Sequence, residues 1–149
     1  MTPLLLDTHI ISDMMRDLQG PAARRAMAIN QLDGVRPLCT SVVVQCELEF
    51  GLARRKNARL EVAYHGVMAT VDVLPLDEKV VEHYARLRIQ LEAIGQPIGP
   101  NDALIAAHAL ALNATLVSAD AEFLRVPGLR VENWLKEEAI KEGARDESK

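Results

Sequence analysis

The chain has 149 residues, of which 49% are hydrophobic and 26% are charged, and its formal net charge is −4. This composition and length predict one globular α/β domain and exclude a disordered or fibrous chain. The acidic balance gives no sign of nucleic-acid binding, which usually appears as a basic excess. The apolar start, MTPLLLDTHII, lacks a basic leading region and is interrupted at Asp7. We therefore expect no signal peptide, no membrane contact and a cytoplasmic location.

In the first half of the chain, short apolar runs alternate with helical patterns. Pro21 suits the first position of a helix, and Thr40 or Ser41 suits an N-cap. The Asp33-Gly34 pair predicts the end of a helix. In order, the patterns predict a strand at 3–6, helices at 10–17 and 21–32, a strand from 36 that turns into a helix reaching 55, a helix at 57–68 and a strand at 71–74.

The second half continues the alternation. Asp77 predicts the cap of a long amphipathic helix that ends at Gly95, and a rigid turn then leads to a helix rich in alanine. The predicted elements are helices at 77–93 and 102–112, a buried strand at 114–117 and a short edge strand at 130–131. We expect the domain to cover 1–135, and a charged tail, helical in part and then frayed, to cover 136–149.

Strands that alternate with helices predict a three-layer α/β/α fold with a central parallel sheet of four to five strands, because parallel neighbours need crossover connections. In such sheets, ligands bind outside the carboxyl ends of the strands, where the strand order reverses. Asp7 and Asp120 both follow predicted strands. The sequence therefore predicts a functional site at this edge.

Four acids form the candidate site. Taken singly, Asp7 and Asp120 are also explained as helix N-caps, Asp102 by the helix dipole, and Glu47 as a solvated helix residue. Taken together, all four are predicted near one sheet edge, where carboxylates repel unless a cation holds them. Oxygen ligands of this kind suit Mg²⁺ or Mn²⁺, and such an ion can activate water for attack on a phosphodiester and neutralise the developing charge.

Five further residues receive less weight. Cys39 and Cys46 have no CxxC pattern and no histidine-rich surroundings, so we expect reduced, packed thiols. His108 is expected to be a structural histidine on a buried helix. Glu49 lies two residues from Glu47 on a helix and should point elsewhere, whereas Glu122 has a weaker claim to the site, two residues after Asp120.

Four segments, LLLDTHI, CELEFG, IGPNDALIAAHA and TLVSADAEF through VPGLRVENW, resemble the PIN-domain ribonucleases. More narrowly, they resemble the VapC toxins of bacterial toxin–antitoxin pairs, and the similarity runs from about Leu4 to Trp134. The resemblance implies a PIN fold and a metal-dependent endoribonuclease that halts translation. It also implies a tRNA substrate, with the anticodon region of initiator tRNA as the expected target, a VapB-type antitoxin as partner, and a homodimer.

The same resemblance assigns the metal-binding and catalytic roles to Asp7, Glu47 of an ELxxG motif, Asp102 of a DxxIAA helix, and Asp120. The match is loosest at Asp120, in a SAD segment. All four acids of the family pattern are present.

Three neighbours of these acids are expected to support them. The resemblance implies that the hydroxyl groups of Thr8 and Ser118 orient metal-bound water or ligands, although the family usually has threonine at the second position. His9 stands where the family commonly has asparagine. A neutral imidazole can replace the amide in hydrogen bonding, but it adds a titratable group beside the site.

Basic side chains are needed to hold RNA around the acids. Aromatic residues make up only 3% of the chain, so phosphate and shape contacts should dominate over base stacking. Solvated helix faces remain the ordinary alternative for each basic residue. The candidates are Arg24, Arg25, Arg54, Arg55 and Lys56, with Arg59 close by.

Other functions fit less well. A phosphatase of the haloacid-dehalogenase type needs a second aspartate two residues after the first, and position 9 is histidine. A receiver domain would need paired acids before the phosphorylated aspartate and a late lysine. The alternative that stays open is a PIN-fold module that binds RNA or protein without catalysis, whose signature would be degenerate acids.

Overall fold

The computed structural model describes residues 2–32 and 38–135. Within these residues, strands and helices alternate along the chain, as the sequence predicts. The predicted tail at 136–149 and the predicted helix end at 33–34 lie outside the described residues. The strands are β1 (Leu4–Leu6), β2 (Leu38–Ser41), β3 (Asp72–Leu74), β4 (Thr115–Val117) and β5 (Arg130–Glu132), and the helices are α1 (Thr8–Arg16), α2 (Pro21–Asn30), α3 (Val42–Arg55), α4 (Ala58–Met68), α5 (Glu78–Ala93) and α6 (Pro100–Ala111), with a 3₁₀ helix at Ala121–Arg125.

The described strands form one five-stranded sheet in the order β3-β2-β1-β4-β5, and every neighbouring pair is parallel. This confirms the predicted α/β class with its central parallel sheet. In the register, Leu5 of β1 lies opposite Cys39 of β2 and Leu116 of β4. The chain builds outwards in one direction from β1 to β3, and in the other direction with β4 and β5. The strand order therefore reverses between β1 and β4, which is where ligands bind in open parallel sheets.

Local capping signals explain where several helices begin. The side chain of Ser41 accepts a hydrogen bond from the backbone N–H of Val43, and that of Asp77 accepts one from Lys79. Asn57 accepts two such bonds at the start of α4. Each cap satisfies backbone donors that the first helical turn leaves unpaired, and the caps at Ser41 and Asp77 are predicted from the sequence.

The core lies on both faces of the sheet. The side chains of β1 are completely buried, as expected for a parallel strand covered by helices. His108 of α6 is also buried, its Nδ1 lies 2.8 Å from Ser41 Oγ, and burial lowers its pKa. The predicted structural histidine is thus confirmed, and it connects α6 to the cap of α3. None of the helices in the described part of the chain is long and apolar enough to cross a membrane.

Two expectations need correction, and two others are confirmed. Cys39 is buried and free, as expected, and burial raises its pKa to about 11. Cys46 is exposed rather than packed, because it lies on the outer side of α3. The predicted change from strand to helix is confirmed at Ser41, whose cap starts α3 at the next position. The second helix ends at Asn30, two residues earlier than predicted.

Candidate active site

Asp7 leaves β1 at the point where the strand order reverses. Its side chain is only 5% exposed, and both carboxylate oxygens are hydrogen-bonded. Oδ1 accepts from the backbone N–H of Thr8 at 2.7 Å, and Oδ2 accepts from the hydroxyl of Ser118 at 2.7 Å. Burial raises the pKa of Asp7, while these two bonds oppose the rise. Since Ser118 directly follows β4, its bond to Asp7 joins the two central strands across the switch point.

Glu47 is held by donors from two other helices. Thr8 Oγ1, at the start of α1, donates to Glu47 Oε1 at 2.5 Å. Asn101 Nδ2, in the first turn of α6, lies 3.5 Å from Glu47 Oε2. Asp7 and Glu47 therefore have both oxygens occupied by donors of the protein. We refer to these two residues as the bonded pair.

Three other carboxylates face one another. Asp102, Asp120 and Glu122 each offer an oxygen, and these atoms all lie within 4.8 Å of one another. Asp102 comes from the first turn of α6, whereas the other two belong to the 3₁₀ helix after β4 and its cap. Asp120 caps this helix by accepting from the backbone N–H of Glu122 at 2.9 Å. We refer to these three residues as the carboxylate trio.

The charges that act on Asp102 come from both the bonded pair and the carboxylate trio, which places all five acids in one site. Its pKa is raised from the usual 3.8 to about 6, first by burial and then by the negative charges of Asp7, Asp120, Glu47 and Glu122. Burial and nearby negative charges both disfavour the ionised form of a carboxyl group, and both act on Asp102. The four acids named from the sequence thus converge, and Glu122 makes a fifth.

The donor set suits a hard divalent ion. The trio supplies only carboxylate oxygens, which are the preferred ligands of Mg²⁺ and Mn²⁺, and no cysteine or histidine belongs to it. A cation bound there would relieve the repulsion that raises the pKa of Asp102. The described residues therefore fit the predicted metal.

The predicted supporting residues lie beside the acids. The Thr8 hydroxyl bonds Glu47, and the Ser118 hydroxyl bonds Asp7 and accepts from the backbone N–H of Asp120 at 3.1 Å. His9 is exposed and lines a cavity of about 360 Å³ together with Arg16 and Asp120. It bonds neither Asp7 nor Asp120 in the structure.

A second cavity of about 280 Å³ lies between α1 and α3, and we call it the α1–α3 groove. Two of the predicted RNA-binding residues, Arg54 and Arg55, line it. Arg54 also lies over the ring of Phe50, at 5.4 Å. The groove is lined by Thr8 and Arg16 of α1 and by Glu47, Gly51, Arg54 and Arg55 of α3, among others.

The other predicted basic residues lie elsewhere. Arg24 and Arg25 are on α2, and the guanidinium of Arg25 lies 5.9 Å from the ring centre of the buried Trp134. Lys56 is exposed and ends α3 in a left-handed conformation, with φ of 48°. None of these three residues lines either of the two cavities beside the acids.

Sequence reasoning underestimated or missed three residues. Glu122 is predicted to have only a weaker claim to the site, but the capped 3₁₀ turn brings its carboxylate close to those of Asp102 and Asp120. Asn101 directly precedes Asp102, and its side-chain amide could have been recognised in the sequence as a hydrogen-bond donor beside the site. Arg16 lines both cavities, and only its helical spacing from Thr8 could have indicated this.

The family model of the PIN domain matches residues 4–129, so the chain belongs to the PIN-domain family. Within that family it falls among the VapC ribonucleases. It is 31% identical to the tRNA(fMet)-specific endonuclease VapC of Shigella flexneri, over 90% of this chain and 99% of the relative. It is 37% identical to the ribonuclease VapC2 of Rickettsia felis, over 66% of this chain and 75% of the relative.

Solved structures agree with this assignment. The crystal structure of VapBC2 from Rickettsia felis bound to a DNA fragment from its promoter contains a chain that superposes with a TM-score of 0.82 at 29% identity. The match covers 89% of this chain and 99% of that chain. The PIN fold predicted from the sequence is thus confirmed.

Proposed function

We propose that the protein is a Mg²⁺- or Mn²⁺-dependent endoribonuclease, the toxin of a toxin–antitoxin pair, which hydrolyses phosphodiester bonds in RNA. The observation that carries this proposal is the convergence of five carboxylates at the switch point of the sheet, with the pKa of Asp102 raised to about 6 by burial and by its acidic neighbours. The names of the relatives, all VapC ribonucleases, support the same activity.

The two groups of acids have different roles in this proposal. The carboxylate trio would hold the metal, since its oxygens already lie within 4.8 Å of one another. A divalent ion bound there would lower the pKa of the attacking water and place positive charge beside the phosphate oxygens. Asp7 and Glu47 extend the negative surface from β1 and α3, and their hydrogen bonds fix their orientation before substrate arrives. Such preorganisation avoids rearrangement during the reaction.

The proposed substrate is tRNA, and we propose that its cleavage stops translation. A relative with 31% identity is named for its specificity towards tRNA(fMet), which supports initiator tRNA as the target. The anticodon region as the place of cleavage is proposed from the family resemblance alone. The groove carries arginines rather than a row of aromatic residues, which suits phosphate contacts. We further propose that a VapB-type antitoxin silences the site, since a similar chain was crystallised as a VapBC complex. The proposal that the toxin is a homodimer rests on the family resemblance alone.

One assay tests the activity. Purified protein is incubated with total tRNA, with and without Mg²⁺ or Mn²⁺, and the ends of the fragments are mapped. Metal-dependent cleavage that leaves no cyclic phosphate is expected, because water rather than the ribose 2′-hydroxyl attacks. Cleavage in EDTA, or ends with a 2′,3′-cyclic phosphate, would contradict the mechanism.

The same assay separates catalysis from binding alone. A non-catalytic RNA-binding module would retain tRNA in a binding assay with Mg²⁺ and leave it intact. The full set of acids argues against that alternative, because a module without catalysis has no use for a set of mutually repelling carboxylates.

A further inference from the structure

Gly51 occupies the middle of α3, where glycine is among the least favourable residues. A Cβ atom at this position would meet no heavy atom within 4 Å, so packing within the described chain does not require glycine there. Its backbone does not require glycine either, because Gly51 is not among the residues with positive φ. The position opens onto the α1–α3 groove. Gly66 of α4 has the same free space but does not line the groove, so it is the place of Gly51 on the groove that allows another molecule to approach the backbone closely.

The charges around the groove indicate what kind of molecule that is. Arg16, Arg54 and Arg55 line it together, and in the described part of the chain none of the three forms an ion pair. Glu47 at the other end of the groove bonds Thr8 and Asn101 instead. Three positive charges gathered on one cavity favour an anionic occupant.

The length of the groove suits a short run of stacked nucleotides. Glu47 and Arg54 are seven residues apart on α3, which corresponds to about 11 Å along the helix axis. This is about three times the rise of ~3.4 Å for a stacked nucleotide. Leu48 and Leu52 supply apolar surface between the two ends. The groove therefore offers cations for phosphates and apolar contact for a sugar or base.

Arg16 connects this groove to the carboxylates. It also lines the neighbouring cavity, which contains His9 and Asp120. Its side chain thus borders both cavities, and Asp120 of the trio borders the second one. A strand that passes from one cavity to the other would have to pass this residue.

We propose that the α1–α3 groove seats the RNA nucleotides next to the scissile phosphodiester, with Gly51 leaving clearance for the sugar-phosphate backbone and Arg16, which borders both cavities, binding a phosphate. The proposal rests on the proposed nuclease function and adds the path of its substrate. RNA is favoured over a peptide because it presents one negative charge at every nucleotide, which matches a groove end with three arginines.

The test compares two helix-interior glycines. A Cβ atom at Gly66 of α4 would also meet no heavy atom within 4 Å, and Gly66 does not line the groove, so Gly66→Leu is the matched control for Gly51→Leu. Cleavage of total tRNA with Mn²⁺ gives KM and kcat, and calorimetry gives the affinity for Mn²⁺ alone. Gly51→Leu is expected to raise KM about tenfold or more, the size of one lost nucleotide contact, without changing Mn²⁺ affinity. Gly66→Leu should change neither quantity.

A second variant does not depend on filling the groove. Arg16→Gln should weaken RNA binding and lower the slope of log K against log salt by about one, whereas Arg86→Gln on α5 should leave the slope unchanged. Unchanged KM in Gly51→Leu, or an equal rise in Gly66→Leu, would overturn the proposal. Unchanged KM together with lost inhibition by the antitoxin would assign the groove to a protein partner and overturn it as well. A wild-type protein that leaves tRNA intact would instead overturn the nuclease function, and this inference with it.

Discussion

The bonded pair and the carboxylate trio lie at the same sheet edge, yet the protein treats them differently. Each oxygen of Asp7 and Glu47 has a donor from the protein. The trio instead brings oxygens within 4.8 Å of one another, and Asp102 has no hydrogen-bond donor among the described residues. The pair is satisfied without a ligand, whereas the trio accumulates negative charge.

This difference separates acids whose charge the fold itself satisfies from acids that repel one another. A buried carboxylate that accepts hydrogen bonds contributes to stability, and its partners then determine its orientation. Carboxylates that face one another repel, and the protein keeps them only at a cost in stability. Sites with such a cost are commonly functional. Variants of the two groups should therefore respond in opposite ways.

The largest expected effect comes from the trio. Asp102→Asn removes the member of the trio whose pKa is raised by all four other acids. Cleavage of tRNA should fall about 10³-fold, since metal-assisted stabilisation contributes several kcal/mol to the transition state. Single-turnover cleavage with Mn²⁺ measures the loss. Glu82→Gln on α5 is the control for removal of an exposed acid, and similar activity of both variants would contradict the assignment of Asp102.

The next effect concerns the pair. Ser118→Ala leaves the buried Asp7 without its hydroxyl donor and the backbone N–H of Asp120 without its acceptor. The free energy of unfolding should fall by about 2 kcal/mol, the usual loss for a hydrogen bond to a buried charge. Urea denaturation in EDTA measures it. Ser118→Thr keeps the hydroxyl and should lose less, so equal losses would show that the hydrogen bond is not the cause.

A smaller effect tests the acid that sequence reasoning underestimated. Glu122→Gln should weaken Mn²⁺ binding at least about tenfold, because it removes one charge from the trio. Isothermal calorimetry gives the affinity. Glu49→Gln is the matched control, since this exposed glutamate on α3 is not part of the trio. If both variants bind Mn²⁺ as the wild type does, Glu122 is not a ligand.

The smallest effect is a pH dependence of the metal-free protein. Because the folded pKa of Asp102 is raised from 3.8 to about 6, the folded state holds its proton more tightly, and stability is lost as pH rises through this interval. The full shift corresponds to about 3 kcal/mol, which solvent screening of a partly exposed group reduces to about 1 kcal/mol.

The buried His108 acts in the opposite direction, because its lowered pKa makes stability fall as pH drops below 6.5. The difference between Asp102→Asn and wild type in EDTA cancels this contribution. The variant should be more stable than wild type by about 1 kcal/mol at pH 7, and the difference should vanish near pH ~4. A difference that does not change with pH would contradict the repulsion inferred within the trio.

The sequence by itself determined the class of the fold and most of the site. The buried run at β1, the caps at Ser41, Asn57 and Asp77, and the alternation of strands and helices are local signals, and each appears in the structure. They are readable because capping and hydrophobic periodicity act over a few residues. The acids themselves were visible because they follow predicted strands or stand in recognisable motifs.

Only the tertiary structure decided which acids face one another. Glu122 enters the trio because the segment after β4 forms a 3₁₀ helix capped by Asp120, which the sequence does not predict. Arg16 and Gly51 border one groove because α1 and α3 lie side by side across it. Cys46 is exposed because its face of α3 turns outwards. These outcomes depend on how helices are rotated against the sheet, which is set by packing between residues distant in sequence.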